Sequence, residues 1–242
     1  MRSDWCFFLD RKNMEKKYKW LLFDADNTLL DFSKAARKSF DCVLTAEGIE
    51  PTQEHWDSYD AINERLWGML EKGTITKEKI RTERFRLFLE KWSFDVDYTK
   101  VSKEYLAQLI PQSTLFDGAL ELLNDLKAHF LLGIVTNGLK EVQRPRLRQV
   151  GIYDLFDVVV VSDEIGSFKP NAAFFDHTFE EMKYPLKESV IIIGDNLNSD
   201  ILGGMNYGID TCWFNFNKNI NKTAIVPTYE ISELKQFKSV VF

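Results

Sequence analysis

The feature that most constrains this chain is a short apolar run that stops at an acid: Trp20-Leu21-Leu22-Phe23, then Asp24. A run this short, apolar at every position, is the mark of a parallel strand buried on both faces. Runs of the same kind recur at 131–135, 158–161, 190–193 and 211–214, with amphipathic stretches of helical period between them. Strand–helix alternation predicts an α/β fold, a Rossmann-like doubly wound parallel sheet.

Helix ends are also marked. Asp117 is placed to N-cap a helix over 118–127, and Gly151 to follow a helix over 139–150 as its C′ residue. Pro145 should kink or break that second helix, and Pro170 suits the first turn of the next one. Between the first two strands, residues 32–110 hold no strand-like run and predict helices over 33–47, 53–72, 77–92 and 98–110. Short links imply antiparallel packing, hence a small helical cap over the end of the first strand. The expected division is an N-terminal extension at 1–13, a core at 14–31 and 111–242, and a cap at 32–110. Met14, just before Glu15-Lys16-Lys17, is either the natural start or part of a short terminal extension.

With 242 residues, 45% of them apolar, the chain can bury a substantial core. Its net charge of −6, with Lys and Arg scattered, argues against nucleic acid as a partner. An anionic ligand would therefore need a metal ion or a few placed donors for local positive field. Cys6, Cys42 and Cys212 are too far apart for a CxxC site or a disulfide framework, which fits a reducing cytoplasm. No stretch approaches the roughly 20 apolar residues that cross a bilayer, so no membrane partner is expected.

The chemistry sits at the strand ends, where open α/β sheets bind ligands. Asp24-Ala25-Asp26-Asn27-Thr28 follows the first strand, and two carboxylates one residue apart can divide labour. One can attack phosphorus while the other exchanges a proton with the leaving oxygen and then with water. Read alone, the motif is as consistent with a capped turn. The remaining strand ends shift the balance. Thr136-Asn137-Gly138 offers a hydroxyl and backbone N–H groups for phosphate oxygens, Lys169 follows the third strand, and Gly194-Asp195-Asn196 follows the fourth with Asp200 a helical turn further on.

These four segments, in this order, resemble the four motifs of the haloacid dehalogenase superfamily from about Lys17 onward. The resemblance implies a phosphatase with Asp24 as nucleophile, Asp26 as general acid and base, Thr136 and Asn137 as phosphate ligands, and Lys169 neutralising the nucleophile and phosphoryl group. Asp195 would bind Mg2+ together with Asp24 and the carbonyl of Asp26. Asp200 would orient Lys169 or a metal-bound water, or merely favour the start of its helix. Asp163 and Glu164 read equally well as a solvated turn, and His55, His129 and His177 have no metal-site spacing. Asp26 separates the chain from dehalogenases and from P-type ATPases, which lack an aspartate there.

A closer resemblance, to the bacterial pyrimidine 5′-nucleotidase branch, rests on Tyr59-Asp60-Ala61-Ile62-Asn63, Leu66-Trp67, Gly73-Thr74-Ile75-Thr76, and the run from Asp200 to Gly204 leading to Thr211-Cys212-Trp213. It implies nucleoside monophosphate substrates. The cap aromatics Trp56, Tyr59, Trp67, Phe85 and Trp92 have the spacing of a helical core, although one could stack on a base. Asn63, Trp67 and Arg84 are the candidate substrate-facing groups. The protein is expected to act as a monomer or weak homodimer on a small phosphorylated metabolite. Two other readings stand beside this one: a sugar-phosphate phosphatase or phosphoglucomutase-like enzyme with a different cap, and a noncatalytic binding protein of the same fold.

Overall fold

A computed structural model describes residues 17–242, so the extension at 1–13 and the question of Met14 lie outside the described residues. β1 (Trp20–Phe23), β2 (Leu131–Thr136), β3 (Val158–Val161), β4 (Val190–Gly194), β5 (Asp210–Phe214) and β6 (Tyr229–Ile231) form one sheet in the order β3-β2-β1-β4-β5-β6. Every pairing is parallel. β1 lies between β2 and β4, so the crossovers reverse direction beside it and the ends of these three strands form the crevice.

The continuous apolar strands are explained by layers on both faces. Leu21 and Phe23 point into a core shared with α5 (Ala119–Lys127), α6 (Lys140–Gln149) and α10 (Phe237–Val241); Trp20 and Leu22 point into another shared with α8 (Ala172–Glu181). Two short helices complete the core, α7 (Ser162–Ile165) after β3 and α9 (Leu202–Tyr207) before β5, the latter led by a π-type turn, Leu197–Ile201, that carries Asp200.

The insertion between β1 and β2 is all helical: α1 (Phe32–Ala46), α2 (Gln53–Glu71), α3 (Lys77–Lys91) and α4 (Tyr98–Leu109). Asp31, Thr52, Thr76 and Asp97 cap their first turns by accepting backbone N–H groups. Its core is aromatic, with Tyr59 4.9 Å from Phe40 and 4.8 Å from Phe85. Trp56 and Trp92 pack against that core, and His55 completes the cap of α2.

Several local expectations fail. α5 begins one residue later, at Ala119, and its N-cap is Gly118 at φ 78°, not Asp117; the left-handed turn excludes a side-chain cap there. α6 runs on through Pro145. Pro170 precedes the N-cap Asn171 of α8, in a cis peptide with Lys169, instead of occupying the first turn. β6 has no counterpart among the predicted strands: Tyr-Glu-Ile at the sheet edge is too short and mixed to show as an apolar run. No helix among the described residues is long and apolar enough to cross a membrane.

Candidate active site

The crevice opens into a cavity of about 430 Å³ whose wall includes Asp24, Asp26, Thr136, Asn137, Asp195 and Asp200 from the sheet side, and Asn63, Trp67 and Arg84 from the helical insertion. Lys169, fully buried, sits under the acids. Its Nζ donates to Asp24 Oδ1 at 2.7 Å, to Asp200 Oδ1 at 2.6 Å and to the carbonyl of Val135 at 2.5 Å. All three ammonium protons are thus used, and against burial, which favours the neutral amine, Asp200 and Asp24 together hold the lysine charged, above its ordinary pKa. Asp200, whose role the sequence left open, spends one oxygen on Lys169, and its second accepts from the Asn196 backbone at 3.1 Å.

Asn137 has a second task beside the one expected of it. Its side chain bonds both ways to the Lys169 main chain, each at 2.9 Å, which fixes the lysine backbone and uses one of the two Nδ2 protons. Thr136 Oγ1 accepts from Gln143 Nε2 at 2.6 Å and from the Gly138 N–H at 3.1 Å. With both acceptor positions used, its hydroxyl proton is free to donate to a ligand.

Asp26 is held apart from this cluster by two residues the sequence reading missed. Arg146 Nη1 bonds Asp26 Oδ1 at 2.6 Å, and Gln143 Nε2 bonds Oδ2 at 2.9 Å. Gln143 and Arg146 are i, i+3 on α6, hence on one face, and both are almost wholly buried. Polar residues at that spacing in a helix directly after Thr136-Asn137-Gly138 were the available signal. Arg146 also bonds Ser113 Oγ at 2.8 Å and lies 5.3 Å from the Phe32 ring, touching both chain crossings between core and insertion.

Two glycines make room for these arrangements. A Cβ on Gly138 would lie 2.3 Å from Gln143 Nε2, and one on Gly194 would lie 2.3 Å from the Asp200 carboxylate. Side chains from the following turns fold back across the strand ends and need the space.

Asp24, Asp195 and Asp200 each offer a carboxylate oxygen, all within 4.8 Å of one another. Burial pushes the Asp24 carboxyl up to about 7 against the pull of Lys169, with Asp200 and Asp26 adding to the rise. Asp195 is raised well above the carboxylate range by burial and by Asp24 and Asp200. Both Asp200 oxygens are taken, by Lys169 and Asn196, and Asp24 Oδ1 by Lys169, so the oxygens left for a cation are Asp24 Oδ2 and the Asp195 carboxylate: an all-oxygen, electron-rich set that suits a hard divalent cation. Trp213 Nε1 donates to the Asp195 carbonyl at 2.8 Å and fixes that loop.

Asp163 and Glu164 lie on α7 and both are paired, although Glu164 stays exposed. Asp163 pairs with Arg81 of α3 at 2.5 Å and accepts the Lys140 N–H at 3.1 Å, while Glu164 pairs with Arg144 at 2.7 Å. Arg81 also bonds both oxygens of Glu141, and Lys77 donates to Ser162 Oγ, so α3 is tied to the core at several points. Phe168 adds an apolar contact by packing among Leu66, Leu70 and Ile80.

Comparison with known proteins agrees with this geometry. The haloacid dehalogenase-like hydrolase family matches residues 21–214. The chain is 35% identical to YfnB of Bacillus subtilis, named as a HAD-hydrolase, over 93% of this chain and 96% of that one. It is 33% identical to the pyrimidine 5′-nucleotidase YjjG of Escherichia coli, over 93% and 98% of the two chains. The crystal structure of YfnB bound to magnesium superposes with a TM-score of 0.88, covering 93% of this chain and 99% of that one. The chain belongs to the haloacid dehalogenase-like hydrolase family and is an enzyme of the hydrolase class.

Proposed function

We propose that the protein is a phosphoric monoester hydrolase that works through an aspartyl-phosphate on Asp24, and that its substrates are nucleoside monophosphates, pyrimidine ones foremost. The observation that carries the chemistry is the contrast between two carboxylates one residue apart. Asp24 lies against the ammonium of Lys169 among other acids, while Asp26 is held separately by a guanidinium and an amide. Separate surroundings suit separate roles.

Asp24 attacks phosphorus, and the bond to the leaving oxygen breaks as Asp26 supplies its proton. Asp26 then takes a proton from the water that attacks the phosphorus of the aspartyl-phosphate, releasing inorganic phosphate and restoring Asp24. Lys169 favours the charged form of the nucleophile and holds it in place, and Thr136 donates to a phosphoryl oxygen. Mg2+ bound by Asp24, Asp195 and the carbonyl of Asp26 would neutralise charge on the phosphoryl oxygens. The helical insertion acts as a cap that excludes water during the first transfer. The magnesium-bound structure of YfnB is described as revealing interdomain movement, which supports a mobile cap.

The substrate assignment is supported by YjjG and by PynA of Streptococcus pneumoniae, a second pyrimidine 5′-nucleotidase 35% identical over 88% of this chain. The test is a phosphate-release screen of nucleoside monophosphates, sugar phosphates and small phosphorylated acids, with Mg2+ and with a chelator. Turnover that survives the chelator would count against the metal, and equal kcat/KM for uridine monophosphate and ribose 5-phosphate against the nucleotidase reading.

A further inference from the structure

The cap holds a buried charge that the chemistry at the strand ends does not use. Arg84 of α3 is 2% exposed and contributes to the wall of the cavity that contains Asp24. Its Nη1 donates to Asn63 Oδ1 of α2 at 3.3 Å, and the guanidinium lies 4.8 Å from the Tyr105 ring. Nε and Nη2 have no partner, and no carboxylate pairs with Arg84 among the described residues. A buried guanidinium left this way is costly, since unpaired buried donors and charges normally find an acceptor. Where both the residue and the cavity are built by the fold, a ligand is the natural source of that acceptor.

The surroundings narrow what the ligand presents. Asn63 Oδ1 faces the guanidinium, so its amide NH2 remains as a donor; the pair therefore offers donors and asks for acceptor oxygens. A second phosphate or carboxylate would satisfy Arg84, but Glu64 and Glu71 line the same cavity and would repel it. A neutral ring with carbonyl oxygens meets the donors without that repulsion. Trp67, one helical turn beyond Asn63, lines the cavity and offers an aromatic face, while Glu64 can accept from a ribose hydroxyl or a ring N–H.

We propose that Arg84 and Asn63 form the receptor for the nucleobase, donating to the carbonyl oxygens of a keto base such as uracil or thymine. This rests on the nucleotidase reading and adds the residues that would recognise the base.

The test compares the wild-type chain with Arg84→Met, Arg84→Lys and Asn63→Ala, measuring kcat/KM for uridine monophosphate, ribose 5-phosphate and 2-phosphoglycolate. In Arg84→Met the ratio of the first to the second should fall by about 10- to 100-fold, the worth of a hydrogen bond to a charged group. Asn63→Ala should lower it in the same direction, and Arg84→Lys, which keeps the charge but not the fork, should recover part of it. Thermal melting supplies a readout that a purely structural arginine would not give. Replacing an uncompensated buried charge with an apolar side chain should leave the unliganded melting temperature of Arg84→Met equal to or above wild type.

An unchanged substrate ratio in folded Arg84→Met and Asn63→Ala, with wild type still favouring uridine monophosphate, would overturn the receptor while leaving the nucleotidase reading intact. Absence of any wild-type preference for the nucleotide would remove the nucleotidase reading itself, and the receptor with it. A loss confined to 2-phosphoglycolate would make Arg84 the partner of a second anion and overturn the base assignment.

Discussion

Lys169→Met isolates the electrostatic problem at the centre of the site. The ammonium is fully buried between Asp24 and Asp200, so the substitution leaves acids crowded around an apolar side chain. Removing one partner of a buried ion pair costs about 3–5 kcal/mol, and a lysine shared by two carboxylates belongs at the upper end of that range. For a chain of this size each kcal/mol moves the melting temperature by about 2–4 °C, so the metal-free variant should melt roughly 10–20 °C lower. Asp24, already pushed up to about 7 with the lysine present, rises further without it, which partly relieves the repulsion but leaves the nucleophile protonated and turnover lost. A more negative cluster should also gain more from a cation, so millimolar Mg2+ should raise the melting temperature of the variant by more than that of wild type. Thermal melts in chelator and in Mg2+ measure both effects. A metal-free variant melting within about 2 °C of wild type, or equal Mg2+ increments in the two proteins, would refute this account of the cluster.

Asp24→Asn keeps the side-chain volume, so it should fold normally and lose turnover of every phosphate ester; appreciable release of phosphate would remove Asp24 as nucleophile. Gln143→Leu and Arg146→Met free the Asp26 carboxylate, so each should lower kcat by about 10- to 100-fold for an ester with a poor leaving group, within the range of general acid catalysis. An aryl phosphate, whose leaving oxygen needs little protonation, should suffer less, and equal losses on both substrates would argue for a general structural defect. Metal-free stability should fall as pH rises: with a folded pKa of about 7 against 3.8, Asp24 in the folded state keeps a proton that the unfolded chain has lost. The fall begins near pH 4, where the unfolded carboxylates ionise, and Asp195, raised in the same way, adds to it. Mg2+ should abolish it, and melts that are flat with pH in chelator would contradict the shift.

The strands of the core were legible because a strand covered on both faces must be apolar at every position, and the acids at their ends were legible because nothing in packing requires them. The insertion showed the helical period. What escaped was set by distance. Gln143 and Arg146 look in sequence like the solvated face of an ordinary helix, and only the fold shows that their neighbour is Asp26, 117 and 120 residues away. Asp163 likewise reads as a turn residue until α3 brings Arg81 to it. Asn137 and Lys169 were singled out separately, but their mutual clamp depends on how two crossovers meet. The edge strand β6 and the Gly118 cap failed for the opposite reason, being too local and too weakly patterned to stand out.

The lysine at the centre also makes catalysis a strict reporter of assembly. Its ammonium joins Asp24, Val135 and Asp200, which lie 145, 34 and 31 residues from it along the chain. Those partners come from the ends of three adjacent strands or the turn after one of them, so no fragment of the sheet can assemble the lysine-paired nucleophile. Contacts between residues so far apart in sequence form late, after loop closure has brought the segments together. During refolding, helical signal and collapse should return before any turnover does, and a partly paired sheet should be inert. A cell holding an incompletely folded copy would therefore hold no loosely selective phosphatase.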